Sequence, residues 1–378
     1  MIKWLFKYGA VIFLFNSILL SIESTYVIGN QIFLALMGIF LFVLLINPKL
    51  IKTILFHKAF SFLLIINLLN LLYFFLFHSI SDYAAIKYFM ARGVQFAIIS
   101  TSIYFNYEYY KNKFFDHIVY VVFGIVVFGL VINPSLFSGR YSGIIWNPNM
   151  FSSLVVIAFS IHFLKYDKRT RFDYFILFIL LMSALASGSR GSLVAIILVF
   201  LLKYGFTLKN MIYGFIALAI SLVILSINLE TSVNRFAEQS MFNDRVLQFE
   251  YAYLSVKEKL ITGYGLDKYA YIDNSLVPTY LKDKIIGAHN GYLSIITQYG
   301  IIFGSVILFL IFRKSFLSYS YFKNRHSFER VYLFIVLYTL IASIYESLIT
   351  GINEFHTILF WFSLALLSYS KFKEEYEV

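Results

Sequence analysis

The chain contains no cysteine. That excludes disulfide bonds, thiol catalysis and zinc–thiolate centres. It is also short of charge. Only 13% of its 378 residues are Asp, Glu, Lys or Arg, about half the ~25% usual in a soluble domain. The sequence carries no internal repeat of fixed period, no low-complexity tail and no stretch that reads as a separate soluble domain. What fills it instead is apolar, 60% of all residues, gathered in long blocks such as 54–77, 213–227 and 301–312. A polytopic membrane protein is the class that fits both facts. The expected fold is therefore all-α, a single transmembrane domain over residues 1–378. The 43 Phe and 30 Tyr are read as lipid-facing and interfacial surface together with a codon-usage bias, not as a binding stripe.

About twelve transmembrane helices are expected, over 2–22, 27–46, 59–77, 84–105, 117–132, 148–164, 172–188, 190–204, 210–228, 289–312, 330–347 and 354–370. The first apolar stretch has the length of a span and is read as retained, since no cleavage site follows it. With the N-terminus in the cytoplasm, the inner segments hold Lys3, Lys7, Lys49, Lys52, Lys58, Lys111, Lys113, Lys165, Lys168, Arg169, Arg171, Lys203, Lys209, Arg313, Lys314, Lys323, Arg325, Arg330, Lys371 and Lys373. Apart from the long loop 229–288, only Lys87, Arg92, Arg140 and Arg190 remain on the outer side. This asymmetry places both termini inside. The net charge of +11 is then an orientation signal, and nucleic acid is not expected as a partner. The segment 172–202 is 31 residues long, whereas two full crossings need about 40. Basic flanks at both ends favour a short hairpin over one tilted crossing. Its tip, SGSRG, would then sit below the outer surface, where irregular backbone is tolerated if it lines a protein-enclosed, wet cavity.

Three spans that run inward from the outer face begin with a polar group: RYSGIIWNPNMF at 140–151, SGSRGS at 187–192 and AHNGYL at 288–293. Helix N-termini offer unpaired N–H groups and a partial positive charge, and a nearby arginine turns them into anion sites. Asn147, Ser187, Ser189 and Asn290 are candidate N-caps. Ordinary capping explains Asn147, Pro148 and Asn149 equally well, and Arg140 at an interface is equally able to hold a lipid phosphate. Arg190 is different, because a sunken arginine is costly unless paired or hydrated. In the long loop, 234–260 reads as mainly helical, with Arg245, Gln248 and Ala252 near one face; pairing of Arg245 with Asp244 or Glu250 is the competing reading. A glycine-rich turn follows at ITGYGLDKY, 261–269. Lys87 and Arg92, five apart and on different faces, are candidates for diphosphate or glycan binding or for snorkelling to the interface. Glu346, Glu354 and His356 are weaker candidates, for an ion pair with one of the arginines or for acceptor binding. Asp82 reads as a solvated cap.

RYSGIIWNPN, SGSRGSLVA, the loop arginine followed by ITGYGLDKY, and AHNGYLSIITQYGIIFG resemble, in that order, the O-antigen ligase and polymerase family of bacterial membrane glycosyltransferases. A family pattern of His, then Asn, Ser or Gln, nine residues and Gly is met by His289, Asn290 and Gly300. The second glycine usual three residues later is displaced by one, with Phe303 there and Gly304 next. The resemblance implies a reaction at the external face of the bacterial inner membrane. The donor would be a glycan on undecaprenyl pyrophosphate, and the acceptor a sugar hydroxyl on a lipid-linked repeat unit or on lipid A-core. It further implies an inverting, metal-independent transfer with no cofactor, and membrane lipids and a chain-length regulator as further partners. Arg190 and Arg245 match the family's two functional arginines and His289 its catalytic histidine. Arg140, Asn149, Asn290, Lys87 and Arg92 are the accompanying candidates for pyrophosphate or glycan binding.

The residue types suit that chemistry. Negative charge grows on a diphosphate leaving group, and guanidinium groups and helix N-termini hold it. No Asp-x-Asp pair stands on the outer side to bind Mg²⁺. A neutral imidazole is suited to take the acceptor's proton. Polymerase is the preferred reading, on an AT-biased composition typical of exchanged surface-polysaccharide genes, with ligase as the alternative. A transporter or flippase is the reading from another class. Against it, the polar motifs gather on one side and several spans carry almost no central charge.

Overall fold

The computed structural model describes residues 2–137, 139–205, 207, 209, 210, 212, 243–268, 289–325 and 328–376. Among these there is no β-strand, only one antiparallel bridge between Ile22 and Ile145. Every segment read as a span carries a helix except 210–228, which lies almost wholly outside the described residues; 289–312, however, is not one straight crossing, because its helix turns back at Gly300, where Gly304 meets Ile296 and the Tyr292 and Phe312 rings stack 5.4 Å apart. In chain order the helices are α1 (Ile2–Leu19), α2 (Tyr26–Leu45), α3 (Pro48–Leu55), α4 (Ser61–Phe77), α5 (Tyr83–Asn112), α6 (Phe114–Ile132), α7 (Pro148–Lys165), α8 (Arg171–Ala186), α9 (Arg190–Tyr204), α10 (Asn243–Glu258), α11 (Gly291–Phe322), α12 (Glu329–Ala342) and α13 (Phe355–Tyr376). Four are long and apolar enough to cross a bilayer: α2 with the short turn before it, α6, α7 and α11. The chain is thus an all-α protein with the character of a membrane protein. The sequence reading did not anticipate α3, a short helix with Pro48 at its first turn that buries Ile51 and Ile54 and rests on α5.

Local chemistry sets the helix starts. Asn147 precedes Pro148 and accepts the Asn149 N–H at 2.8 Å. Thr170 and Asp173 form a reciprocal capping box at α8, which satisfies two otherwise orphaned donors. Asp82 accepts the Ala85 N–H at 3.1 Å, so its expected capping role holds, and it also pairs with His78 at 2.7 Å. Asn290 accepts from the N–H groups of Tyr292 and Leu293 at 3.0 and 2.9 Å.

Apolar residues run almost all round α7, α12 and α13, so these helices are buried and form the centre. α7 packs on α6, α8, α9 and α12, and α13 packs on α1, α5, α11 and α12. Helices α2, α4 and the later part of α11 present exposed Phe42, Phe75, Phe309 and Phe316 outward, as lipid-facing surface would.

The segment 172–202 is a hairpin. Asp173 at the start of α8 meets His162, and Lys203 at the end of α9 meets Asp167 and the carbonyls of Phe163 and Tyr166. Both ends therefore lie at the C-terminus of α7. The tip lies at the other end, where Ala186 accepts the Tyr141 N–H at 3.0 Å. At 16 and 15 residues the two helices measure about 24 and 22 Å, short of the ~30 Å hydrocarbon thickness.

α11 is broken at Gly300, whose φ of 70° and ψ of 176° leave the helical region. The break frees backbone groups that the glycine-rich turn after α10 takes up. Thr297 and Gln298 carbonyls accept from Tyr264 and Gly265 N–H at 2.9 and 3.0 Å, and Ile301 N–H donates to Leu260 at 2.7 Å. The Tyr73 hydroxyl donates to the carbonyls of Thr262 and Gln298. Gly263 and Gly300 meet back to back: a Cβ on Gly300 would fall on the Ile261 carbonyl, and one on Gly263 on the Gly300 nitrogen.

Candidate active site

The starts of α7, α9 and α11 converge on the segment 343–354 that links α12 to α13. His289, immediately before the Asn290 cap, places Nδ1 3.2 Å from Glu346 Oε2. Asn149 in the first turn of α7 points its amide at the other carboxylate oxygen, 3.5 Å away and at the outer limit of a hydrogen bond. Arg140 donates to Asn149 Oδ1 at 2.6 Å. A cavity of about 80 Å³ opens against the same carboxylate, lined by Asn149, Ser189, Gly191, Glu346 and His356 among others. Ser189 and Gly191 flank Arg190, the first residue of α9. The tip residues Ser187 and Gly188 are buried. The irregular backbone of the hairpin tip thus borders this cavity.

Backbone geometry sets the histidine. His289 has a φ of +41°, one of two non-glycine residues in the left-handed region among those described. Such conformations cost free energy and persist where the surroundings hold them. Here Asn290 Nδ2 donates to the Ile344 carbonyl at 2.8 Å, and Gly291 N–H to the carbonyls of Ser343 and Glu346 at 2.8 and 3.1 Å. The 343–346 turn therefore fixes both the imidazole and the carboxylate it faces. His289 and Glu346 are both partly open to solvent. His356, which also lines the cavity, is buried, and its Nδ1 has no hydrogen-bond partner among the described residues.

The remaining candidates lie elsewhere. Arg92 is buried in α5 and donates to the carbonyls of Thr350 and Gly351 at 2.6 and 2.9 Å and to Gln95 Oε1 at 2.9 Å. It clamps the far end of the 343–354 segment. Lys87, on the exposed face of α5, lies near Asp267, whose carboxyl burial pushes above the usual range while Lys87 and Lys268 pull it down. Arg245 falls in the first turn of α10, and its side chain lies outside the described residues. Ala252 on that helix is buried and Gln248 half-buried, as expected for the face they share. Among the described residues, no group of three or more histidine or acidic side chains is placed to hold a metal ion. The sequence reading ranked Glu346 low, although it touches His289 and Asn149 alike. The pair is separated by 57 positions, and the only sequence signal was an acidic residue at an expected outer helix end.

A family model described as O-antigen ligase matches residues 175–309. The resemblance read from the motifs is borne out over that stretch, which contains Arg190, Arg245, His289 and Gly300 and stops short of Arg140 and Asn149. The match supports an enzyme of glycosyltransferase type that handles lipid-linked glycans. No curated protein matches the chain.

Proposed function

We propose that the chain is a metal-independent, inverting glycosyltransferase working at the external face of the bacterial inner membrane. In this reading the chain forms one transmembrane domain of about twelve crossings with both termini in the cytoplasm. The observation that carries the proposal is the His289–Glu346 pair beside a cavity edged by the starts of α7 and α9. With Nδ1–H bonded to Glu346, the lone pair of His289 sits on Nε2. Nε2 takes the proton of the acceptor hydroxyl as its oxygen attacks the anomeric carbon. The bond from that carbon to the diphosphate oxygen breaks, and its electron pair leaves with undecaprenyl pyrophosphate. Glu346 offsets the positive charge that forms on the imidazole, the role a carboxylate plays in a Ser-His-Asp triad. Arg190, Arg245 and the N–H groups that begin α9 hold the charge growing on the diphosphate. Arg140 and Asn149 form the wall nearest the acceptor sugar, and Asn290 keeps the imidazole in place.

Two acceptors fit this chemistry. Polymerase action, with a lipid-linked repeat unit as acceptor, is favoured by the composition of the chain. Ligase action on lipid A-core is favoured by the description of the matching family. The experiment is reaction of the purified protein with lipid-linked donor, with chelator present and no gradient, against both acceptors in turn. We expect elongation of the lipid-linked repeat, and its loss by a factor of about 10²–10⁴ in His289→Ala. Glycosylation of lipid A-core alone excludes the polymerase reading, and full activity in His289→Ala excludes the site.

A further inference from the structure

A second cavity lies at the opposite end of the bundle, and nothing in the transfer reaction uses it. Along α13 it is 12 residues from His356, on the wall of the first cavity, to Ser368, on the wall of the second, about 18 Å of helix. There a cavity of about 190 Å³ opens between the turn before α4, the later part of α11 and the end of α13. Three lysines line it, Lys58, Lys314 and Lys371, against one acidic residue, Glu375, and their ammonium groups lie over the rings of Tyr376, Phe62 and Tyr321. The Glu375 carboxylate is already engaged by Lys371 at 3.5 Å. Lys314 donates to Ser368 Oγ at 2.6 Å, while the Ser368 hydroxyl itself donates to the Ala59 carbonyl. Among the described residues Lys314 has no carboxylate partner. An ammonium carries three donors, and holding several cations together without counter-charge is unfavourable.

We propose that this cavity binds the phosphate headgroup of an anionic phospholipid. The positive excess supplies the charge and the lysine ammonium groups the hydrogen bonds. A lipid is favoured over free phosphate by the walls. Leu317 lines the cavity and is also exposed on the outer side of α11, next to the exposed Phe316, and Leu367 and Phe372 complete an apolar side. A site polar at its floor and apolar at its lateral opening matches an amphiphile at a bilayer boundary. It lies where the charge asymmetry places the cytoplasmic leaflet, whose anionic lipids attract basic segments. The proposal does not depend on the glycosyl transfer.

The test is thermal unfolding of the full chain in neutral detergent after delipidation, with phosphatidylglycerol, phosphatidylcholine or inorganic phosphate added. Phosphatidylglycerol is expected to raise Tm and to remain bound in native mass spectra; phosphatidylcholine and phosphate are not. Lys371→Gln at the rim and Lys314→Gln at the floor should each weaken apparent affinity roughly fivefold. Lys373→Gln, outside the cavity, should leave it unchanged. Equal shifts from the two lipids, or an undiminished shift in a folded Lys371→Gln protein, overturn the site. A shift from inorganic phosphate as large as that from phosphatidylglycerol overturns the lipid assignment. The comparison of the three ligands uses the unaltered protein, so it decides the matter even if Lys314→Gln fails to fold.

Discussion

At the scale of single residues, the chemistry turns on how His289 is held. Its Nδ1 faces Glu346, and a hydrogen bond to a charged partner contributes about 1.5–3 kcal/mol. Glu346→Gln keeps the shape and removes the charge, so turnover should fall about 10- to 100-fold with the fold intact. Unchanged turnover in the same transfer assay would leave Glu346 with a purely structural role. Arg190→Lys keeps a cation and loses the planar fork that matches a diphosphate. A large loss of turnover is expected, while near-normal turnover would make the arginine structural. Part of this candidate site is legible in the sequence, because the starts of α7 and α11 announce themselves through Asn147, Pro148 and Asn290; Ser189 starts α9 without a side-chain cap, and Ser187 ends α8. Glu346 is not, since its partnership with His289 depends on how the 343–346 turn folds back onto the start of α11.

At the scale of elements, the least expected feature is the seam between the broken α11 and the turn 260–266. The apolar pattern of 291–312 runs straight through Gly300, and a glycine inside a membrane helix is common, so nothing local announced the break. The break shows only when the turn occupies the freed backbone groups. Gly300→Ala would need a left-handed φ of 70° and space held by the Ile261 carbonyl. It should destabilise by more than about 1 kcal/mol, read as a lower Tm and faster proteolysis between 243 and 268. The same turn is held from below by His78, which accepts the Leu266 N–H at 3.0 Å and pairs with Asp82. Partial burial pushes the Asp82 carboxyl up, but the Ala85 N–H and the His78 imidazole outweigh it and hold the carboxyl below the usual aspartate range. A depressed folded value contributes stability that is complete above the unfolded value, about 3.9, and lost as pH falls through the folded one. Loss of the Asp82 contribution should therefore raise proteolysis of the turn below the ordinary aspartate range. Asp82→Asn should abolish that acid dependence.

At the scale of the whole molecule, lysine and arginine mark one end of the bundle. Lys165 meets Asn112 and Asp116, Lys203 meets Asp167, and Arg325 meets Glu374. The candidate site lies at the other end. This polarity was legible because charge is expensive in lipid and sorts by side; the packing order of the helices was not, because apolar faces carry no address. The lack of cysteine makes the orientation directly testable. Single cysteines at the exposed positions Ser135 and Lys168 should react differently with an impermeant maleimide. Ser135→Cys is expected to label in intact cells, and Lys168→Cys only after permeabilisation. The reverse pattern would invert the molecule and move the site to the cytoplasm. The seam at Gly300 also bears on how substrate arrives. Because the turn 260–266 completes the hydrogen bonding of a helix inside the bundle, it is fastened in place and cannot lift as a hinged cover. Under the proposed transfer, a lipid-bound sugar would then slide in sideways from the membrane, with its greasy tail never leaving the bilayer.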